Sequence, residues 1–233
     1  MIDKVVSSIE EAIADVHDGA SIMIGGLGMS GTPHNLVKVL GQRGVKNLTM
    51  ICNSYATFVA MENGSHVKKV IVSFAASPYS GARRSAVAEQ ILAGEIEVEL
   101  VPQGTLAERI RAGGAGIAAF YTPTGTGTVV DQGKEKMFFD GKEHLLERGL
   151  TADFAFIKAY KSDTKGNLVY RMAMRNFNPV MAMAARVTIA EVQEIVPAGQ
   201  LDPEHVVTPG IFVDRVVRAD PIVIEFRSPL KKQ

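Results

Sequence analysis

The chain has one cysteine, Cys52, so it can form no internal disulfide, and a lone thiol suits a reducing compartment. It also lacks net charge, with 25 basic residues against 25 acidic ones. That balance creates no overall field toward nucleic acid or an anionic membrane. No apolar run reaches the ~18 residues of a transmembrane helix. The opening MIDKVVSSIEEAI lacks the charged-then-apolar order of a secretory signal. These absences lead us to expect a cytoplasmic protein with no nucleic-acid or membrane partner. No internal repeat or linker divides the chain, so residues 1–233 read as one domain. No two of the histidines (His17, His34, His66, His144, His205) have metal-ligand spacing, and none stands beside a Ser or Cys in a nucleophile turn. We expect them to be solvated or capping. Cys52 falls in an apolar run and is expected to be buried rather than reactive.

What the chain does have is apolar residues, 46% of the total, and 22 glycines in clusters. Glycine clusters between apolar runs indicate tight turns between strands and helices. Ala20–Ile24, Leu48–Cys52, Val67–Phe74, Glu95–Val101, Ala152–Lys158 and Val187–Val192 are short apolar runs of the kind buried in a parallel sheet. Helical spacing runs through Ser8–Val16, Leu36–Leu40, Ser85–Leu92 and Pro179–Ala185. Residues 137–146 alternate around Asp140-Gly141, a two-residue turn signal, and predict a peripheral antiparallel hairpin. Ile211–Val213 and Ile222–Phe226 read as short extended pieces. Strand and helix in alternation predict an α/β fold of three layers, α/β/α, with a mainly parallel sheet.

Three places hold candidate chemistry. The first is Gly25 to Pro33, GGLGMSGTP, between a strand and a helix. Gly25, Gly26 and Gly28 leave backbone N–H groups open to a ligand, and the helix start favours a phosphate or a developing oxyanion. A tight turn without ligand is the alternative. From Gly26 the spacing fits G-x-G-x-x-G, but the second strand ends in Asn53 where a dinucleotide site needs an acid. The second place is Asn53-Ser54, at the carboxyl end of a strand, where parallel sheets bind ligands; a self-bonded turn is the alternative. The third is the stretch from Val98 to Val130. It begins as a buried strand (Ile96, Val98, Leu100), breaks at Pro102-Gln103-Gly104, continues as a helix through Arg111 and passes into a loop of glycines and threonines. Helix capping is the alternative for the Gln103 amide, but Thr105 and Glu108 have capping-box spacing, which tilts Gln103 towards function. Arg171, Arg175, Asn176 and Asn178 form a polar cluster that would either line a site or clamp a loop. Glu62, before Asn63-Gly64, reads as a turn residue. The chain thus offers amides and backbone donors, without a convincing nucleophile, acid–base pair or metal site.

VPQGTLAERIRAGGAGIAAFYTPTGTGTVV resembles a stretch of the A subunit of the class I CoA-transferases, of the 3-oxoacid (acetoacetate or 3-oxoadipate) type. DGASIMIGGLGMSGTP, GNLVYRMAMRNFNPVMAMAAR and LDPEHVVTPGIFVDRVV are similar to three further motifs, so the resemblance spans Ala12 to Val217. It implies a three-layer fold shared in outline with sugar-phosphate isomerases. It implies transfer of CoA from an acyl-CoA, usually succinyl-CoA, to a 3-oxoacid by a ping-pong route. The nucleophile would be a glutamate of the B subunit, which forms an anhydride and then a glutamyl-CoA thioester. An α2β2 assembly would follow, with the CoA thioester as substrate and no permanently bound cofactor. The motif match puts Asn53 and Gln103 in substrate positioning and oxyanion stabilisation, with Gly25, Gly26 and Gly28 shaping the same cavity. Leu27 stands where the family has Phe, and Ser77–Arg84 replaces its Gly-Glu-Asn-type loop. Arg83 and Arg84 would meet a second carboxylate or open a solvated helix. A non-catalytic sugar-phosphate-binding module on the same fold is the alternative function.

Overall fold

The computed structural model describes residues 3–54, 57, 66–75, 90–91 and 93–222. The Glu62 turn, the Ser77–Arg84 loop, most of the helix expected over Ser85–Leu92 and most of Ile222–Phe226 lie outside them.

The strands of the main sheet are β1 (Ser21–Ile24), β2 (Leu48–Ser54), β3 (Val67–Phe74), β4 (Glu97–Leu100), β8 (Ala152–Asp163), β10 (Ala185–Val196) and β11 (Arg215–Arg218). Their order is β11-β10-β8-β1-β2-β3-β4, every neighbouring pair parallel. β9 (Leu168–Val169) adds an antiparallel pairing to β8. A smaller antiparallel sheet, β5-β7-β6, joins β5 (Ala119–Thr122), β6 (Lys136–Phe139) and β7 (Lys142–Arg148). β6 and β7 turn at Asp140-Gly141, both with positive φ, as the hairpin signal predicts.

Side chains alternate across a strand, and the core divides accordingly. Ile22, Ile24, Met50, Cys52, Val70, Val72 and Phe156 form one apolar cluster with Leu36, Val37 and Leu40 of α2 (His34–Gln42) and Ala12 of α1 (Ile9–Ala12). Met23, Ile51, Ile71, Ala155, Ile157 and Ala190 form the other, with Leu106 and Ile110 of α3 (Gln103–Gly114) and Met181 of α4 (Asn178–Met183). Helices therefore cover both faces, and the fold is three-layered α/β/α. Each fully buried Leu, Ile or Val contributes about 1.5–3 kcal/mol.

Several local expectations are corrected. β4 is an edge strand: Ile96 is buried, but Val98 and Leu100 are exposed. α3 runs on to Gly114, and Gly113 within it packs flush against the backbone of Leu150, where a Cβ would overlap the carbonyl oxygen. The small-residue region after it contains β5. Residues 210–212 form a 3-10 turn, and β11 follows where no strand was expected.

Candidate active site

Parallel register brings the carboxyl ends of β1 to β4 close to one level, while β8 runs on past them to Asp163. Ile24 pairs with Cys52 and Phe156, Cys52 with Val72, and Val72 with Leu100. One residue further stand Gly25, Asn53 and Val101, and Gln103 opens α3 two residues after that. The sequence-predicted residues on three separate strand ends thus meet at one edge of the sheet.

Asn53 is buried, and Gln103 Nε2 donates to Asn53 Oδ1 at 2.6 Å. The capping box expected at Thr105 and Glu108 does not form. Pro102 is the N-cap, Thr105 sits inside the first turn, and its buried Oγ1 has no partner. Glu108 instead pairs with Arg111.

The glycine loop starts with Gly25 N–H donating to Phe156 O at 2.9 Å. Leu27 and Ser30 then exchange N–H···O bonds of 3.0 and 3.2 Å, closing a tight turn. Gly26 has φ 119° and Gly28 φ 61°, values that suit glycine. Among the described residues, the N–H groups of Gly26 and Gly28 have no backbone acceptor.

The helix start offers no anion site. α2 has no side-chain cap of its own, yet the N–H groups of Asn35 and Leu36 both donate to Glu191 Oε2, at 3.0 and 3.1 Å. Glu191 Oε1 accepts from Asn35 Nδ2 at 2.9 Å and from Lys158 Nζ at 2.5 Å. A fully buried carboxylate thus neutralises the positive end of α2. The expectation of phosphate or oxyanion binding at that helix start is therefore corrected. Lys158 and Glu191 are paired in register on β8 and β10. Sequence reasoning missed this pair, although each puts a charge into an apolar run (ADFAFIK and TIAEVQEIV).

The histidines also differ from expectation. His34 and His66 are buried. His66 Nδ1 bonds Val45 O. Burial lowers the His34 pKa below the usual imidazole value, with Lys158 adding to the shift and Glu191 opposing it. His34 and Lys158 line a cavity of about 240 Å³ with Met29, Gly31, Thr32 and Met174. Cys52 is buried as expected. Burial pushes its thiol up to about 12, and Sγ contacts Ser54 O at 3.2 Å. In the polar cluster, Asn178 is fully buried against the glycine loop, whereas the Arg171 guanidinium lies 5.6 Å from the Tyr160 ring centroid. Among the described residues, no group of three or more His, Cys, Asp or Glu could hold a metal. Within the same residues, no helix is long and apolar enough to cross a membrane.

A parallel sheet whose carboxyl edge carries amides and a glycine loop defines an α/β protein, a class in which small ligands bind at that edge. The sequence matches the family model described as Coenzyme A transferase over residues 6–219, and the chain belongs to that family. It is 49% identical over 219 residues to the A subunit of a probable succinyl-CoA:3-ketoacid coenzyme A transferase of Bacillus subtilis, covering 92% of this chain and 89% of that one. It is 51% identical over 222 residues to the A subunit of a 3-oxoadipate CoA-transferase of Acinetobacter baylyi, covering 93% and 95%. Among solved structures, it is similar to an acyl-CoA transferase of Escherichia coli O157:H7, with TM-score 0.78 and 23% identity. That alignment covers 94% of this chain and 47% of the other, so the chain spans about half the length of that enzyme.

Proposed function

We propose that this chain is the A subunit of a 3-oxoacid CoA-transferase, one domain over residues 1–233, cytoplasmic and working in an α2β2 assembly with a B subunit. The reaction moves CoA from an acyl-CoA, succinyl-CoA in the first instance, to acetoacetate or 3-oxoadipate. Both relatives are named as A subunits of such enzymes. The observation that carries the reading is the Asn53–Gln103 amide pair at the level strand ends. Uncharged amides and loop N–H groups suit a thioester carbonyl whose oxygen becomes negative.

In this reading the thioester carbonyl is attacked by a glutamate carboxylate of the B subunit. The C–S bond breaks, CoA leaves as thiolate and a mixed anhydride forms. The thiolate then attacks the glutamyl carbonyl, giving glutamyl-CoA and free succinate. The 3-oxoacid repeats both steps in the opposite sense and leaves as its CoA thioester. Splitting one exchange into such steps is the advantage of covalent catalysis. At each tetrahedral intermediate Asn53, Gln103 and the N–H groups of Gly26 and Gly28 supply donors, and Gly25 lets the loop pack closely beneath them. Removing one such donor lowers turnover by ~10²–10³-fold. CoA is a substrate here and no cofactor is retained.

Co-expression with a B subunit tests the proposal, with thioester exchange assayed from succinyl-CoA to acetoacetate and to 3-oxoadipate. Exchange by the assembled protein with either acceptor supports it. No exchange with either, from a stable assembly, overturns it.

A further inference from the structure

We propose that Asn178 is a positioning residue for the glycine loop, and that Gly25 must lack a side chain because the Asn178 amide fills that space. The inference rests on the loop's catalytic role proposed above. Asn178 is the first residue of α4 and is fully buried. Its Oδ1 accepts the N–H of Lys158, on β8, at 2.9 Å. Its Nδ2 donates to Gly31 O at 3.0 Å and to Met174 O at 2.7 Å. One amide therefore ties the middle of β8, the far end of the loop and the turn before α4.

The amide also packs on both ends of the loop. A Cβ on Gly25 would overlap Asn178 Oδ1 and lie 2.7 Å from its Cγ, and the three nearest atoms all belong to Asn178. A Cβ on Gly31 would lie 2.9 Å from Nδ2. Gly31 needs glycine for a second reason, its φ of 69°, but Gly25 is not among the residues with positive φ. The requirement at Gly25 is thus one of space alone. Because Gly25 and Gly31 bracket Gly26 and Gly28, the amide between them sets where those two N–H groups point. Replacing it by a smaller side chain leaves a buried gap, unpaired carbonyls at Gly31 and Met174, and a loop free to shift. A displacement of about 1 Å in a positioning element can cost ~10²-fold in rate.

A double-mutant cycle in the assembled enzyme tests this, using Gly25→Ala, Asn178→Ala and both together, with Asn178→Ser as a milder substitute should Asn178→Ala fail to assemble. Turnover per assembled site, KM for succinyl-CoA, thermal midpoint and hydrogen exchange of residues 26–31 are measured. We expect Asn178→Ala to lower kcat about 10²-fold with little change in KM, and to speed exchange in the loop. Gly25→Ala should be strongly deleterious in the wild-type background, where it meets Asn178. In the Asn178→Ala background, where the clash is gone, it should be nearly silent; such coupling is the mark of direct contact. Additive effects of the two substitutions, or a lowered thermal midpoint with kcat and loop exchange unchanged, would overturn the proposal. If the wild-type assembly transfers no CoA, the functional reading fails, and loop exchange decides this one: faster in Asn178→Ala supports it, unchanged refutes it.

Discussion

Gln103 reaches Asn53 across 50 positions of sequence, its Nε2 donating to Asn53 Oδ1 at 2.6 Å. An amide has one acceptor and one donor end. In the proposed reaction, Asn53 Nδ2 is the donor offered to a substrate oxygen. Gln103→Ala should lower turnover of the assembled enzyme by ~10²–10³-fold, with the thermal midpoint and assembly unchanged. Gln103→Glu should be equally poor, since a carboxylate cannot donate to Asn53 Oδ1. Steady-state kinetics on both variants check this; a normal kcat for Gln103→Glu would contradict the donor role.

The buried pair of Lys158 and Glu191 predicts an order of stabilities. Glu191 holds Lys158 Nζ, Asn35 Nδ2 and two N–H groups of α2. Glu191→Ala leaves a buried ammonium and both N–H groups unpaired, a loss of about 3–5 kcal/mol. Lys158→Met keeps the apolar stem and leaves the carboxylate its other donors, so its loss should be smaller. Urea unfolding of the assembled protein reads the difference, and the reverse order would refute the role assigned to Glu191.

His34 predicts a pH dependence on the acid side. Its pKa is lowered from 6.5 in the folded state by burial, with Lys158 adding to that and Glu191 opposing it. The unfolded chain therefore binds a proton more readily than the folded one. The stabilising contribution is complete above pH 6.5 and is lost as pH falls through the window below it. His34→Gln should flatten the thermal midpoint between pH 6.5 and about 5. An unchanged slope would show that another group governs it.

Cys52 neighbours Asn53 but should be inert. Its thiol is buried and pushed up to about 12, so almost no thiolate exists at about pH 8. Iodoacetamide at that pH should leave activity intact and modify the cysteine only after unfolding. Rapid inactivation with labelling of Cys52 in the folded enzyme would contradict this.

The layered fold was legible because apolar runs and helical spacing report burial directly. The central strands and α2 lie close to where the pattern put them. Edge strand β4 was misread because Val98 and Leu100 suit a strand whether buried or exposed. The candidate site was legible as separate pieces: Gly25, Asn53 and Gln103 were each visible at a strand end. That one hydrogen bond joins two of them depends on register, which spacing along the chain does not contain. Glu191 capping α2 from β10 was hidden for the same reason, since its partners lie 155 and 156 positions away. The clamp reading of Asn178 was open in the sequence, and only its contacts with Lys158 and Gly31 identify what it holds.

The central claim is that this chain supplies donors and walls while the reacting carboxylate comes from another polypeptide. The direct test compares thioester exchange by this chain alone, by its partner chain alone and by the two mixed. The account predicts exchange only in the mixture, with CoA becoming covalently attached to the partner chain when succinyl-CoA is supplied without acceptor. Full-rate exchange by this chain alone, or CoA attached to it, would contradict the account.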